Sequence, residues 1–199
     1  MGVSARRAFA ALPSVRMEPP PTPTVLTLGH STRSLDEFLE ILEAHRVSCL
    51  VDVRRFPGSR RFPHFGREAL ATALEAHGIE YVHEPDLGGR RSVAKDASDA
   101  NAAWRVEAFR AYADYTATPT FQAALDRLIA RADAAAEGRP IAITCAEALP
   151  ERCHRRLIAD ALVARGLSVT DALDASRSRP HELPDFARID ADGRVKYPA

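Results

Sequence analysis

Two cysteines, a histidine and three arginines crowd one stretch of this chain, Cys145-Ala-Glu147-Ala-Leu-Pro150-Glu-Arg152-Cys153-His154-Arg155-Arg156. Thiolates are nucleophiles, imidazole moves protons, and guanidinium groups fork onto phosphate or carboxylate oxygens. The apolar run Pro140-Ile-Ala-Ile-Thr144 before the stretch reads as a buried strand. Pro150 suits the first turn of a helix, where its missing N–H costs nothing. Leu157, Ile158, Ala161 and Leu162 then recur at helical spacing. This pattern puts Cys145 at a strand tip, with Cys153, His154 and Arg155 in the first turns of the helix that follows. Free helix N–H groups and arginine charge favour an anion there, either a bound ligand or the thiolate of Cys145 itself.

Covalent catalysis by Cys145 stands beside plain packing as a reading of that thiol. Phosphatase-like sites need an arginine six positions after the cysteine; Glu151 is there instead, and Arg152 comes one place late. Cys49 opens an apolar run and reads as a small core hydrophobe. Cys145, Cys153, His154, His30 and His83 are of metal-ligating types, but no Cys-x-x-Cys or His-x-x-x-His pair is present, so no metal is expected. The sequence names no cofactor.

The elements that must position these groups alternate regularly. Val25–Leu28, Cys49–Val53, Ile79–Val82, Pro140–Thr144 and Ser168–Leu173 read as strands. Ser34 with Glu37 forms a capping box for a helix striped by Leu35, Phe38, Leu39 and Leu42. Further helices are expected near 68–77, closed by Gly78, and near 105–116 and 121–135. Strands alternating with helices imply an α/β fold, a mainly parallel central sheet with helices on both faces. Asp190-Ala-Asp-Gly193 between two short alternating runs predicts a C-terminal hairpin. The expected organisation is a Pro-rich disordered arm over 1–24 and a single domain over 25–199, since the arm holds five of the fourteen prolines.

In open α/β sheets, ligands bind at the carboxyl ends of the strands. Four predicted strands finish in reactive or polar residues: His30 and Ser31; Asp52 and Arg54; His83 and Glu84; Cys145 and Glu147. Parallel strands would line all four sets along one edge. Arg54, Arg60, Arg90 and Arg155 fall in loops or helix starts on that edge. Phe56, Phe62, His64 and Phe65 interleave with the basic run, either to stack bases or to pin the loop to the domain.

Composition narrows the classes. Lys plus Arg and Asp plus Glu balance at 27 each, so total charge gives no sign of a polyanion-coating protein. Three cysteines in 199 residues make no disulfide framework, and a cytoplasmic location is expected. No apolar run approaches a membrane span, so no membrane partner is expected.

Gly29-His30-Ser31-Thr32, Asp52-Val-Arg54-Arg-Phe-Pro57, Gly78-Ile-Glu-Tyr81, Leu87-Gly88-Gly89-Arg90 and Cys145-Ala-Glu147 with Cys153-His154-Arg155 resemble the domain-of-unknown-function 488 family from about Val25 to Tyr197. The resemblance implies a compact α/β domain and supplies no settled activity. Two functions follow from the residues. The first is an enzyme acting on an anionic, phosphate-bearing substrate, a cysteine-dependent hydrolase or transferase. Its catalytic residues would be Cys145, His30 and Glu147, and its substrate-binding residues Ser31, Asp52, Arg54, Arg90, Cys153, His154 and Arg155. The second is a non-catalytic nucleotide- or nucleic-acid-binding module using the same arginines. The expected partner is thus an anionic small molecule or a nucleic-acid component; oligomeric state is left open.

Overall fold

A computed structural model describes residues 24–58, 60–92, 99–135 and 139–199. The N-terminal arm expected over 1–24 lies outside the described residues except for Thr24, which opens the first strand. The chain runs β1 (Thr24–Gly29), α1 (Leu35–Ala44), β2 (Cys49–Asp52), α2 (Arg67–Ala76), β3 (Glu80–His83), α3 (Glu107–Thr116), α4 (Pro119–Ala134), β4 (Ile141–Cys145), α5 (Arg155–Ala164), β5 (Ser168–Ala172) and β6 (Ser178–Pro180). A hairpin of β7 (Arg188–Ile189) and β8 (Val195–Lys196) follows. The expected parallel sheet is present: the spatial order is β3-β2-β4-β1-β5-β6, and only β6 runs antiparallel.

Side-chain alternation divides the core into two layers. Val25, Val51, Ile141 and Ile143 face Tyr112, Phe121, Leu125, Leu157 and Leu162 of α3, α4 and α5. Leu26, Leu28, Leu50 and Ala142 face Phe38, Leu42, Leu70 and Leu74 of α1 and α2. Helices therefore cover both faces. The neighbouring strands β1 and β4 send their following helices to opposite faces, so a crevice opens between their carboxyl ends, the switch point where such sheets bind ligands.

Local signals explain most element ends. Ser34 accepts from the Glu37 amide while the Glu37 carboxylate accepts from the Ser34 amide, so the capping box closes α1. Thr118 caps α4 in the same way from its hydroxyl, and Gly78 takes the left-handed φ of +66° after α2. One expected element differs. Pro150 opens a short 3-10 turn over Pro150–Arg152, and α5 begins only at Arg155. Cys153 lies between the two with extended backbone, φ −124° and ψ 143°, which turns it inward rather than along a helix face.

The C-terminal segment is clasped to α5 and β5 by buried polar groups. Tyr197 donates to Asp160 Oδ2 at 2.6 Å, and Thr27 donates to Asp171 Oδ1 at 2.7 Å. His181 lies between the two carboxylates, 2.8 Å from Asp160 and 3.4 Å from Asp171. Burial alone would lower the His181 pKa, but hydrogen bonds and charge from both aspartates outweigh it and raise it to about 9. No described helix is long and apolar enough to cross a membrane.

Candidate functional site

A pocket of about 410 Å³ occupies the crevice at the β1–β4 switch point. β1 delivers His30 and Ser31 to it, β2 delivers Arg54, and β4 delivers Cys145 and Glu147; Arg90 and His154 complete the predicted residues on its wall. Arg55, Phe56 and Phe62 also line it. Asp52, Cys153 and Arg155 do not; they are buried behind the wall, at 0%, 3% and 1% exposure. His83 donates to the Arg54 carbonyl at 2.8 Å, and Glu84 pairs with Arg127, so this strand end supports the pocket without lining it.

The chain leaving β4 is fastened to the end of β1. The His30 amide donates to the Cys145 carbonyl at 3.0 Å and the Ser31 amide to Ala146 at 3.1 Å. Ser31 reaches this position at φ +52°, a left-handed backbone unusual for a side-chain-bearing residue. Gly29 allows the approach: a Cβ there would lie 1.8 Å from the Glu147 carbonyl oxygen. Gly89 has a matching role, since its Cβ would meet His154 Nδ1 at 2.8 Å.

The Arg54 side chain is held by Asp52 and His30, with Tyr81 bracing the carboxylate. Its Nε and Nη2 donate to the Asp52 carboxylate at 2.8 and 2.5 Å, and Tyr81 donates to the same carboxylate at 2.8 Å. Its Nη1 lies 3.3 Å from His30 Nε2. Guanidinium only donates, so Nε2 is the acceptor and the His30 proton sits on Nδ1, facing the Ser31 carbonyl at 3.1 Å. Burial first, and the Arg54 charge second, lower the His30 pKa to about 4. His30 is thus neutral near pH 7 and stacked on Phe65. With Nε2 committed to Arg54, the ring acts as a brace for that guanidinium.

The two site thiols and one imidazole form a compact group. His154 Nδ1 lies 3.9 Å from Cys145 Sγ and 3.7 Å from Cys153 Sγ, and the three atoms lie within 4.8 Å of one another. Arg155 folds back beneath them: Nη2 donates to the Glu147 carbonyl at 2.6 Å, and Nε donates to Cys153 Sγ at 3.3 Å. The surroundings of the pair lower the pKa of the Cys153 thiol and raise that of Cys145, where the sequence led us to expect the thiolate. The Cys145 hydrogen bond first, then His154 and Arg155, favour Cys153 as the anion and outweigh its burial. That same hydrogen bond, with burial, raises Cys145, against the Glu147 amide and the Arg155 charge. Cys49 is a core residue whose pKa burial, with Glu80 nearby, pushes up to about 12.

The Cys145–Cys153–His154 group also has the donor types of a soft-metal site. It has one ligand fewer than a four-coordinate structural zinc. His154 Nε2, which in a metal site would normally donate to an orienting acceptor, is buried with no partner among the described residues.

The match that decides the family spans most of the chain, residues 34–162, and contains the Arg54, Arg90, Cys145 and Cys153–Arg155 segments. The chain belongs to the family described as domain of unknown function DUF488. No curated protein and no solved structure matches it. The matched residues include the Arg54, Arg90 and Cys145 parts of the crevice, while His30 and Ser31 lie just before them; the reaction is left to be argued from the site.

Sequence reasoning missed Arg55 as a wall residue, although it adjoins Arg54; of the aromatics given either a stacking or a loop-pinning role, Phe56 and Phe62 line the pocket. It also placed Arg155 among the ligand-facing charges. The backbone carbonyls that draw it inward become visible only once the 147–149 turn is formed.

Proposed function

We propose that the pocket is the active site of an enzyme acting on an anionic substrate, with Cys145 as nucleophile and Arg54, Arg55 and Arg90 holding phosphate or carboxylate oxygens. The observation that carries this reading is the position of Cys145 Sγ. Cys145 is the cysteine that lines the switch-point pocket, which it shares with the arginines and His154, and the buried Cys153 lies close to it. Attack on an electrophile forms a bond from Cys145 sulfur as its proton passes to the Cys153 thiolate. The leaving group departs with its electron pair into a pocket whose guanidinium groups favour negative charge. His30 and Asp52 fix the Arg54 fork. Glu147, exposed at the rim, accepts from the Leu149 amide and shapes the turn. All three cysteines are free, and a reducing cytoplasm is the compartment proposed for this chemistry.

The test is alkylation of the folded protein by iodoacetamide near neutral pH, followed by peptide mapping. Cys145 should label first, with Cys153 and Cys49 labelled only on unfolding. A Cys145 that reacts only in the unfolded chain would overturn the enzyme reading. The site would then be a nucleotide- or nucleic-acid-binding module using the same arginines and the exposed Phe56.

A further inference from the structure

We propose that Cys145 and Cys153 work as one dithiol and that the chemistry of this pocket is thiol–disulfide exchange with an anionic disulfide. This rests on the reading of Cys145 as the nucleophile and adds the class of bond it attacks.

The Arg155 side chain is 1% exposed, and guanidinium does not give up its proton in proteins. Among the described residues it forms no ion pair with a carboxylate. Its acceptors are the carbonyls of Glu147 and Ala148 and the sulfur of Cys153. A buried charge without a counter-charge is strongly disfavoured. Of these acceptors, Cys153 Sγ alone can carry the compensating negative charge, by resting as a thiolate. At 3% exposure that thiolate is closed to bulky reagents. Yet it stands within reach of Cys145 Sγ, the sulfur that a pocket-bound substrate meets.

A shielded thiolate directly behind a substrate-facing thiol is arranged for two displacements in sequence. In the first, Cys145 sulfur attacks one sulfur of the substrate disulfide while its proton passes to Cys153. One substrate thiolate leaves, and a mixed disulfide remains on Cys145. In the second, Cys153 releases that proton to solvent and its thiolate attacks Cys145 sulfur. The second substrate thiolate leaves and a Cys145–Cys153 disulfide forms. The substrate disulfide is reduced to two thiolates, the protein pair is oxidised, and one proton is released. A low-molecular-weight thiol, attacking the protein disulfide in the reverse sense, restores the dithiol. Arg54, Arg55 and Arg90 on the wall select substrates carrying carboxylate or phosphate.

Dithiobis(nitrobenzoate), a disulfide with a carboxylate on each half, is a direct probe. The full-length folded protein, reduced and freed of reductant, should release two nitrothiobenzoate ions per chain. Its mass should fall by two hydrogens, with the new disulfide mapped to Cys145 and Cys153. Cys153→Ser should stop at one ion and a stable mixed disulfide on Cys145. Arg90→Ala should slow the reaction several-fold with this probe but not with uncharged dipyridyl disulfide. If the wild-type protein stops at one ion and a stable mixed disulfide, the exchange proposal is overturned and Cys145 remains the nucleophile. If Cys145 takes up no probe in the folded chain, the nucleophile reading falls as well. The wild-type mass map decides the matter even if a variant does not fold.

Discussion

Gly29→Ala is the substitution that most directly couples the fold to the site. The added methyl would lie 1.8 Å from the Glu147 carbonyl oxygen, 2.6 Å from its carbon and 2.9 Å from Ala148 Cα. All three are backbone atoms, so no rotamer relieves the contact. Restoring an ordinary separation of about 3.4 Å requires the loop to retreat by roughly 1.5 Å, an overpacking that costs about 1–3 kcal/mol. That retreat also breaks the bonds from the His30 and Ser31 amides to Cys145 and Ala146, each worth about 1 kcal/mol. The expected loss is about 3–5 kcal/mol, a fall in melting temperature of roughly 6–20 °C for a domain of this size. Urea unfolding measures the loss, and alkylation of Cys145 reports the displaced loop. Gly58→Ala is the control, since nothing lies within 4 Å of its added Cβ; its effect should stay within about 0.5 kcal/mol. A Gly29→Ala protein as stable as the control, with Cys145 alkylated at the wild-type rate, would refute the close approach of the two strand ends.

Two further outcomes follow from buried charges. The His181 pKa stands near 9 in the fold against 6.5 unfolded, so its contribution is complete below pH 6.5 and lost as pH rises through 9. It amounts to about 3 kcal/mol, and the fall in urea-unfolding free energy over that interval should vanish in His181→Gln; an unchanged slope would contradict the clasp with Asp160 and Asp171. Asp52→Asn leaves the Arg54 guanidinium buried without its counter-charge and should cost about 3–5 kcal/mol. Tyr81→Phe, which removes one hydrogen bond to the same carboxylate, should cost about 1 kcal/mol; equal losses in the two variants would remove the ion pair from the account.

The parallel sheet, the capped α1 and the gathering of strand ends at one edge were legible because each rests on local spacing: apolar runs, a Ser-x-x-Glu cap, and polar residues where runs stop. What stayed hidden depends on contacts between distant segments. Phe56 faces out while Phe65 packs under His30, and nothing in the run of arginines and aromatics distinguishes them. Arg155 read as a ligand-facing charge because arginine is seldom buried, and Asp52 read as a substrate-binding residue rather than the brace behind the wall-lining Arg54. In the fold, two carbonyls and the Cys153 sulfur accept from Arg155, and Asp52, two positions away in sequence, pairs with Arg54. β6 is three residues long with all three exposed, too short to show a period. The division of charge between the thiols also required the structure, since it depends on Arg155 turning inward beneath Cys153.

The proposed function requires that the Cys145 sulfur and an anion-binding cluster of arginines share one pocket. The direct measurement is the rate at which iodoacetamide, an uncharged reagent, alkylates Cys145 in the folded protein as sulfate is added, with chloride at equal ionic strength as the control. Sulfate held by Arg54, Arg55 and Arg90 should slow Cys145 alkylation saturably and several-fold, and Arg90→Ala should weaken that protection. A rate indifferent to sulfate, or slowed equally by chloride, would contradict the shared pocket.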